Sequence, residues 1–360
     1  MQDRIKRLRK KLKEQDLDAF AVLDRTNTFY FTGFRCTYSV LVVDSGRARF
    51  ITDSRYAEAA EKALGKPFEV IVQPGREVET FLKSLFKKSG YGRIGFEGSI
   101  TVDQLERLRR LARGSRLVNA GDIPAALRSV KDEDELKHIR GAVRLSEKMM
   151  ALALEQARPG LREDLLSRKI RFAAEELGGE GESFPNIVAS GPNSSRPHHQ
   201  PSARRLRKGE PLKVDLGGVY KGYCSDITRT PVLGGSAPAG FEEIYEVCLQ
   251  ANQAAVKGLR PGMTGAEVDA IAREVIAEAG YGEYFGHGLG HGVGLEIHEA
   301  PTLGPRATKQ RLEAGNVVTI EPGIYIPGRY GVRIEDYCVV TEEGAKVLSR
   351  FPRKLQVIPV

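Results

Sequence analysis

The chain has 360 residues, 41% hydrophobic and 28% charged, which excludes disorder for its bulk and is enough for about two domains. No apolar run approaches the roughly 18 residues of a membrane span, and no apolar signal segment follows the charged N-terminus, so a soluble, cytoplasmic protein with no membrane partner is expected. The formal charge of +8 is local: residues 1–13 hold seven Lys/Arg against Asp3, and the other 347 residues carry only about +2.

That basic segment sets Ile5, Leu8 and Leu12 at helical spacing. A disordered nucleic-acid arm lacks such a packing face, so the segment reads as a solvated first helix and no nucleic-acid partner is expected. A strand over 18–23 follows. Residues 38–43 and 48–52 read as paired strands around Ser45-Gly46. Beyond them the pattern predicts a helix over 54–64, a strand over 68–72, a helix over 77–87, a strand over 93–96 and a helix over 101–112. Gly121 and Pro124 interrupt this α/β pattern, and the acids from Asp132 to Glu135 suit the first turn of a new helix. The expected division is therefore an accessory α/β domain over 1–125 and a second domain over 126–360. Cys36, Cys224, Cys248 and Cys338 lie far apart, which gives neither a disulfide framework nor a structural zinc site.

The second domain carries an internal repeat. Arg158-Pro159-Gly160 is followed 18 residues later by Gly178, and Arg260-Pro261-Gly262 likewise by Gly280, an offset of 102 residues at four positions. Each triplet lies between two helical segments: 132–157 and the one bearing Leu165, Ile170, Ala173 and Leu177, then 240–258 and the one bearing Val268, Ile271, Val275 and Ile276. Duplication predicts two similar αα-then-β halves facing one another across a pseudo-twofold axis. Chance recurrence of a helix-breaking Pro-Gly pair is the alternative.

After each second helix come histidines and then acids on strands. In the first copy, His198 and His199 lie in a Pro/Gly/Asn-rich loop of the kind that presents functional groups. Asp215 ends an apolar strand, and period-2 alternation places Cys224, Asp226 and Thr228 on one face of the return strand. In the second copy, His287, His291 and His298 fall within a glycine-rich run from Gly286. The glycines disfavour a helix and no His-Glu-x-x-His is present, so the zinc-protease helix is excluded. Glu321 precedes a Pro-Gly turn, and Glu335 shares a face with Arg333 on the way back. One acid at a solvated strand end needs no explanation. Four converging between histidines need about four compensating charges, as two divalent cations supply. No Gly-x-Ser-x-Gly elbow, P-loop or dinucleotide fingerprint occurs.

This set of residues resembles the metallopeptidase family of methionine aminopeptidase, aminopeptidase P and prolidase, which has the pita-bread fold. The resemblance rests on Asp215 and Asp226 with ten residues between them, His291, Glu321 in Glu-Pro-Gly and Glu335 in Val-Arg-Ile-Glu-Asp. Residues 27–34, ending Thr-Gly-Phe, resemble more loosely the creatinase-type N-terminal domain, which points to the prolidase and aminopeptidase P branch. The resemblance implies two divalent metals (Mn2+, Co2+, Fe2+ or Zn2+) held by Asp215, Asp226, His291, Glu321 and Glu335, with Asp226 and Glu335 bridging. It implies a metal-activated water attacking the peptide carbonyl, Glu321 as proton shuttle, and His198 and His298 orienting the carbonyl and stabilising the oxyanion. His287 and Arg333 correspond to positions that shape the substrate pocket. The implied activity is hydrolysis of Xaa–Pro bonds, in dipeptides (prolidase) or at the N-terminus of longer peptides (aminopeptidase P), by a homodimer. A ligand-free creatinase-like enzyme and a catalytically inactive binding module are the alternatives, and the complete ligand set argues against both. His199 and Cys224 receive no role beyond the loop and packing.

Overall fold

The computed structural model describes the whole chain, Met1–Val360. Helix α1 (Gln2–Glu14) buries Ile5, Leu8 and Leu12, each worth roughly 1.5–3 kcal/mol when withdrawn from water. Its arginines also bind inward. Arg4, Arg7 and Arg9 donate to the carbonyls of Tyr30, Leu127 and Asp44. The N-terminal sheet is built from β1 (Ala19–Val22), β2 (Val40–Asp44), β3 (Ala48–Asp53), β4 (Phe68–Gln73), β5 (Arg93–Phe96) and β6 (Arg116–Asn119), in the order β4-β3-β2-β1-β5-β6. Helices α2 (Arg25–Thr32), α3 (Ala57–Ala63), α4 (Val78–Ser89), α5 (Val102–Leu111) and α6 (Asp122–Ser129) complete this part. Two compact units result, Met1–Arg128 and Ser129–Val360.

Sequence reading placed no element over α2, β6 or α6. Helix α2 lacks an apolar stripe and is set by its ends: Asp24 accepts from Asn27 N–H, and Gly33 closes the helix at φ 70°. In α6, Pro124 falls in the first turn, where the missing N–H costs nothing.

The second unit is duplicated, as the repeat predicts. Helices α7 (Glu133–Gln156) and α8 (Glu163–Glu176) are matched by α9 (Phe241–Gly258) and α10 (Gly265–Glu278), and α8 and α10 both have 14 residues. The turns correspond too. Gly160 and Gly262 sit at φ 87° and 86° and donate to Leu206 O and Leu312 O, while Gly178 and Gly280 sit at 87° and 84°. Such a left-handed backbone favours glycine, which explains the recurrence at a 102-residue offset. Each half has its own core, one around Met149, Ile170 and Val214, the other around Val268, Ile320 and Val332. All four cysteines are free thiols, and no helix is long and apolar enough to cross a membrane.

The strands of the first half are β7 (Ile187–Ser190), β8 (Leu212–Leu216), β9 (Val219–Tyr220), β10 (Tyr223–Cys224), β11 (Ile227–Arg229) and β12 (Val232–Leu233). The second half has β13 (Gly290–Gly292), β14 (Glu299–Leu303), β15 (Val317–Ile320), β16 (Gly323–Ile326), β17 (Tyr330–Arg333), β18 (Asp336–Thr341) and β19 (Gly344–Val347). In each half a long antiparallel ladder, β8·β11 or β15·β18, is interrupted by a separate small hairpin, β9·β10 or β16·β17.

Candidate active site

The acids sit where those ladders break. Asp215 lies in β8 opposite Thr228 of β11, and Asp226 lies just before β11. This corrects the expectation of one alternating strand through Cys224, Asp226 and Thr228. A Cβ on Gly217 would stand 1.8 Å from Ser225 O, so the strands cross too closely for a regular ladder. The Ser225 hydroxyl lies 3.0 Å from both the N–H and the carbonyl of Gly218 instead. Ser225 and Asp226 form the break, and Cys224 packs apart with Tyr337 and Val293. In the second half Ile320 pairs with Asp336, and Glu321 and Glu335 follow where the strands diverge into β16·β17. The halves are tied directly: Glu335 N–H donates to Thr228 O (3.2 Å), and Thr228 Oγ1 donates to Glu335 Oε2 (2.9 Å).

Asp215, Asp226 and Glu335 are buried, and one carboxylate oxygen from each lies within 4.8 Å of the other two. His291, in β13, brings Nε2 to 3.4 Å from Glu321 Oε1 and 3.6 Å from Asp226 Oδ2. Its glycine neighbours are there because backbones approach closely: a Cβ on Gly290 would lie 2.1 Å from Thr319 O, and one on Gly292 2.4 Å from Ala300 O. Burial lowers the His291 pKa, which favours the neutral ring. Its Nδ1 faces Gly292 O at 3.1 Å, which assigns that proton and leaves the Nε2 lone pair aimed at the acids.

Burial, reinforced by Glu335, Asp215 and Glu321, pushes the Asp226 carboxyl well above the ordinary range; burial with Glu321 and Asp215 does the same to Glu335. Burial raises Glu321 to about 7, with Asp215 adding to it and Arg333 opposing. Arg333 is the guanidinium within this group. It pairs with Asp215 and also donates to Thr228 Oγ1 (3.0 Å), Tyr325 Oη (3.0 Å) and Pro197 O (3.3 Å).

These residues fit a divalent cation. Asp215 Oδ1 and Glu335 Oε1 are buried without a hydrogen-bond partner, a costly state that a metal ligand escapes. Carboxylate oxygens with one neutral imidazole form a donor set for Mn2+, Co2+, Fe2+ or Zn2+.

The cluster opens on a cleft of about 1040 Å³ whose lining includes His198, His287, His298, Glu321 and Arg333. The His298 ring stands edge-on to His291 at 4.3 Å between centroids. His287 is lowered to about 4 by burial and the Arg333 charge; its Nδ1 faces Gly288 O (2.7 Å) and its Nε2 the Tyr325 hydroxyl (2.9 Å). Sequence reasoning passed over Tyr325, Lys213 and Glu163. Lys213 carried a signal, a lysine between Leu212 and Val214 in a strand that also bears Asp215. Glu163 carried none, because its partners lie 27 to 39 residues away.

The fold and this site define a class: a duplicated α+β domain with a buried carboxylate–imidazole cluster suited to a divalent metal, preceded by an α/β domain. Residues 137–342 match metallopeptidase family M24, and residues 4–130 match the creatinase/prolidase N-terminal domain. The chain belongs to metallopeptidase family M24, with the pita-bread catalytic fold. It is 35% identical to the Xaa-Pro dipeptidase of Pyrococcus horikoshii, over 99% of both chains. Among solved structures it is similar to an Xaa-Pro dipeptidase from Bacillus anthracis (37% identity, TM-score 0.94, 99% of each chain). It is also similar to an X-Pro aminopeptidase from Thermotoga maritima (33% identity, TM-score 0.91, 99% of this chain and 100% of that one).

Proposed function

We propose that this metallopeptidase hydrolyses Xaa–Pro bonds, with Xaa-Pro dipeptides as its main substrates. The observation that carries the chemistry is the meeting of four carboxylates and an imidazole around unpartnered buried oxygens. Full-length similarity to Xaa-Pro dipeptidases supports the substrate. Asp215, Asp226, His291, Glu321 and Glu335 would hold the metal. Four carboxylates against one guanidinium leave three negative charges, which favours two divalent ions over one. Bound divalent ions supply an activated water and a Lewis acid for the peptide carbonyl.

The chain's own groups do the rest. Glu321, which Thr319 Oγ1 steadies at 3.2 Å, carries the proton to the leaving proline nitrogen. His198 and His298 orient the scissile carbonyl and donate to its developing oxyanion. His287, neutral and braced by Tyr325, and Arg333, braced by Asp215 and Thr228, form the wall that meets the proline side of the substrate. A cleft of about 1040 Å³ is larger than a dipeptide needs, and this supports a second reading as an aminopeptidase acting on longer peptides.

Release of the first residue from Gly-Pro and from Gly-Pro-Pro, by protein loaded with Mn2+, Co2+ or Zn2+, tests both. Gly-Pro turnover well above Gly-Pro-Pro supports the dipeptidase, and the reverse supports the aminopeptidase. No hydrolysis of either under any loading overturns the proposal. Manganese as the metal and a homodimeric assembly rest on the family resemblance; metal analysis and sedimentation check them.

A further inference from the structure

His198 makes no hydrogen bond to the protein, so its imidazole is placed only by the backbone of the loop that carries it. Two buried side chains, one an acceptor and one a donor, hold that loop. The Glu163 carboxylate, at the start of α8 and fully buried, accepts on Oε1 from Ser190 N (2.8 Å), Ser190 Oγ (2.7 Å) and Asn193 Nδ2 (3.0 Å). On Oε2 it accepts from Ser202 N (3.1 Å) and Ser202 Oγ (2.7 Å) and faces His199 Nε2 at 2.9 Å. Lys213 Nζ, equally buried, donates to the carbonyls of Ser194 (3.1 Å), Arg196 (2.6 Å) and Pro197 (3.3 Å). The carboxylate thus gathers donors at 190, 193, 199 and 202, and the lysine gathers carbonyls at 194, 196 and 197. His198 lies between the two sets.

We infer that Glu163 is the positioning residue for His198: it fixes residues 190–202 as a rigid bracket, with His199 as one anchor, so that His198 reaches the cleft without any side-chain partner. The inference rests on the reading of His198 as a group that orients the scissile carbonyl. Ionised, Glu163 serves both sides because it is acceptor-only. Burial opposes that state, but hydrogen bonds from Ser202, His199 and Ser190 overcome it and hold the carboxyl at about 2.

The test uses Glu163→Gln in the metal-loaded enzyme. The amide keeps the shape but turns an NH2 group toward donors whichever way it faces. We expect kcat on Gly-Pro to fall about 10- to 100-fold, with KM changed less than about threefold and metal content as in wild type. Combined with His198→Ala, it should lower kcat by less than about twofold beyond His198→Ala alone, because both changes remove one function. Wild-type kcat in Glu163→Gln, or effects that multiply in the double variant, would overturn the inference. Full activity of His198→Ala would overturn the role of His198 itself, a different and separable failure. If Glu163→Gln does not fold, Ser202→Ala removes a single hydroxyl donor to Oε2 and is read through the same cycle. An expected loss of about threefold that vanishes in the His198→Ala background supports the inference, and an unchanged kcat refutes it.

Discussion

Neutralising one acid of the metal cluster should stabilise the protein without metal and destroy its response to metal. In Asp226→Asn the side chain keeps its size and loses its charge. Two carboxylates 4.8 Å apart, the outer limit in this cluster, repel by about 3.5 kcal/mol at an effective dielectric of 20. Asp226→Asn removes two of the three such pairs. Proton uptake already relieves part of that repulsion, since Asp226 and Glu335 bind protons well above the ordinary range. The chelated variant should therefore be more stable than chelated wild type by about 2 kcal/mol near pH 8, a rise in Tm of about 4–8 °C. With saturating Mn2+ the order reverses, because wild type gains the linkage energy of binding and the variant gains little. Melting curves in chelator and in Mn2+, with elemental analysis and turnover on Gly-Pro, read all three effects. A chelated variant that melts below chelated wild type would refute the electrostatic account. Wild-type metal content and turnover would refute the assignment of Asp226.

His298→Ala should lower kcat about 100- to 1000-fold, the scale of a lost oxyanion donor, and retain metal; loss of metal would make His298 a ligand in place of His291. In the N-terminal unit, burial would raise the Asp44 carboxyl, but hydrogen bonds from Tyr91, the Arg47 N–H and Arg49 prevail and hold it at about 2. A depressed folded-state pKa contributes stability above the unfolded value near 4 that is lost as pH falls through about 2. Asp44→Asn should thus cost about 2 kcal/mol in urea unfolding at pH 6, and the difference from wild type should shrink toward zero near pH 2. A difference independent of pH would assign the loss to packing.

The duplicated architecture was legible because its turns need glycine at defined positions. Gly160, Gly178, Gly262 and Gly280 all have left-handed backbones, and that requirement shows in sequence however far the rest has diverged. The acids were legible because two lie in each repeat, in or beside strands and after histidines. The path of those strands was not. Whether Asp226 continues an alternating strand or interrupts one depends on how closely Gly217 approaches Ser225, a contact between chain segments that periodicity cannot report. The same holds for Glu163 and Lys213, whose partners belong to a loop without regular structure. Helix α2 was missed for a local reason: caps, not an apolar stripe, define it.

The basic first helix divides its charge between two tasks. Arg4, Arg7 and Arg9 are engaged with carbonyl oxygens of their own unit, whereas Lys6, Lys10 and Lys13 are exposed. Solubility and folding are therefore adjustable separately along 13 residues. Replacing those lysines with glutamine would bring the isoelectric point down from about 9.2 and weaken adsorption to anionic surfaces while leaving the domain intact. The same exchange at the arginines would unfasten α1.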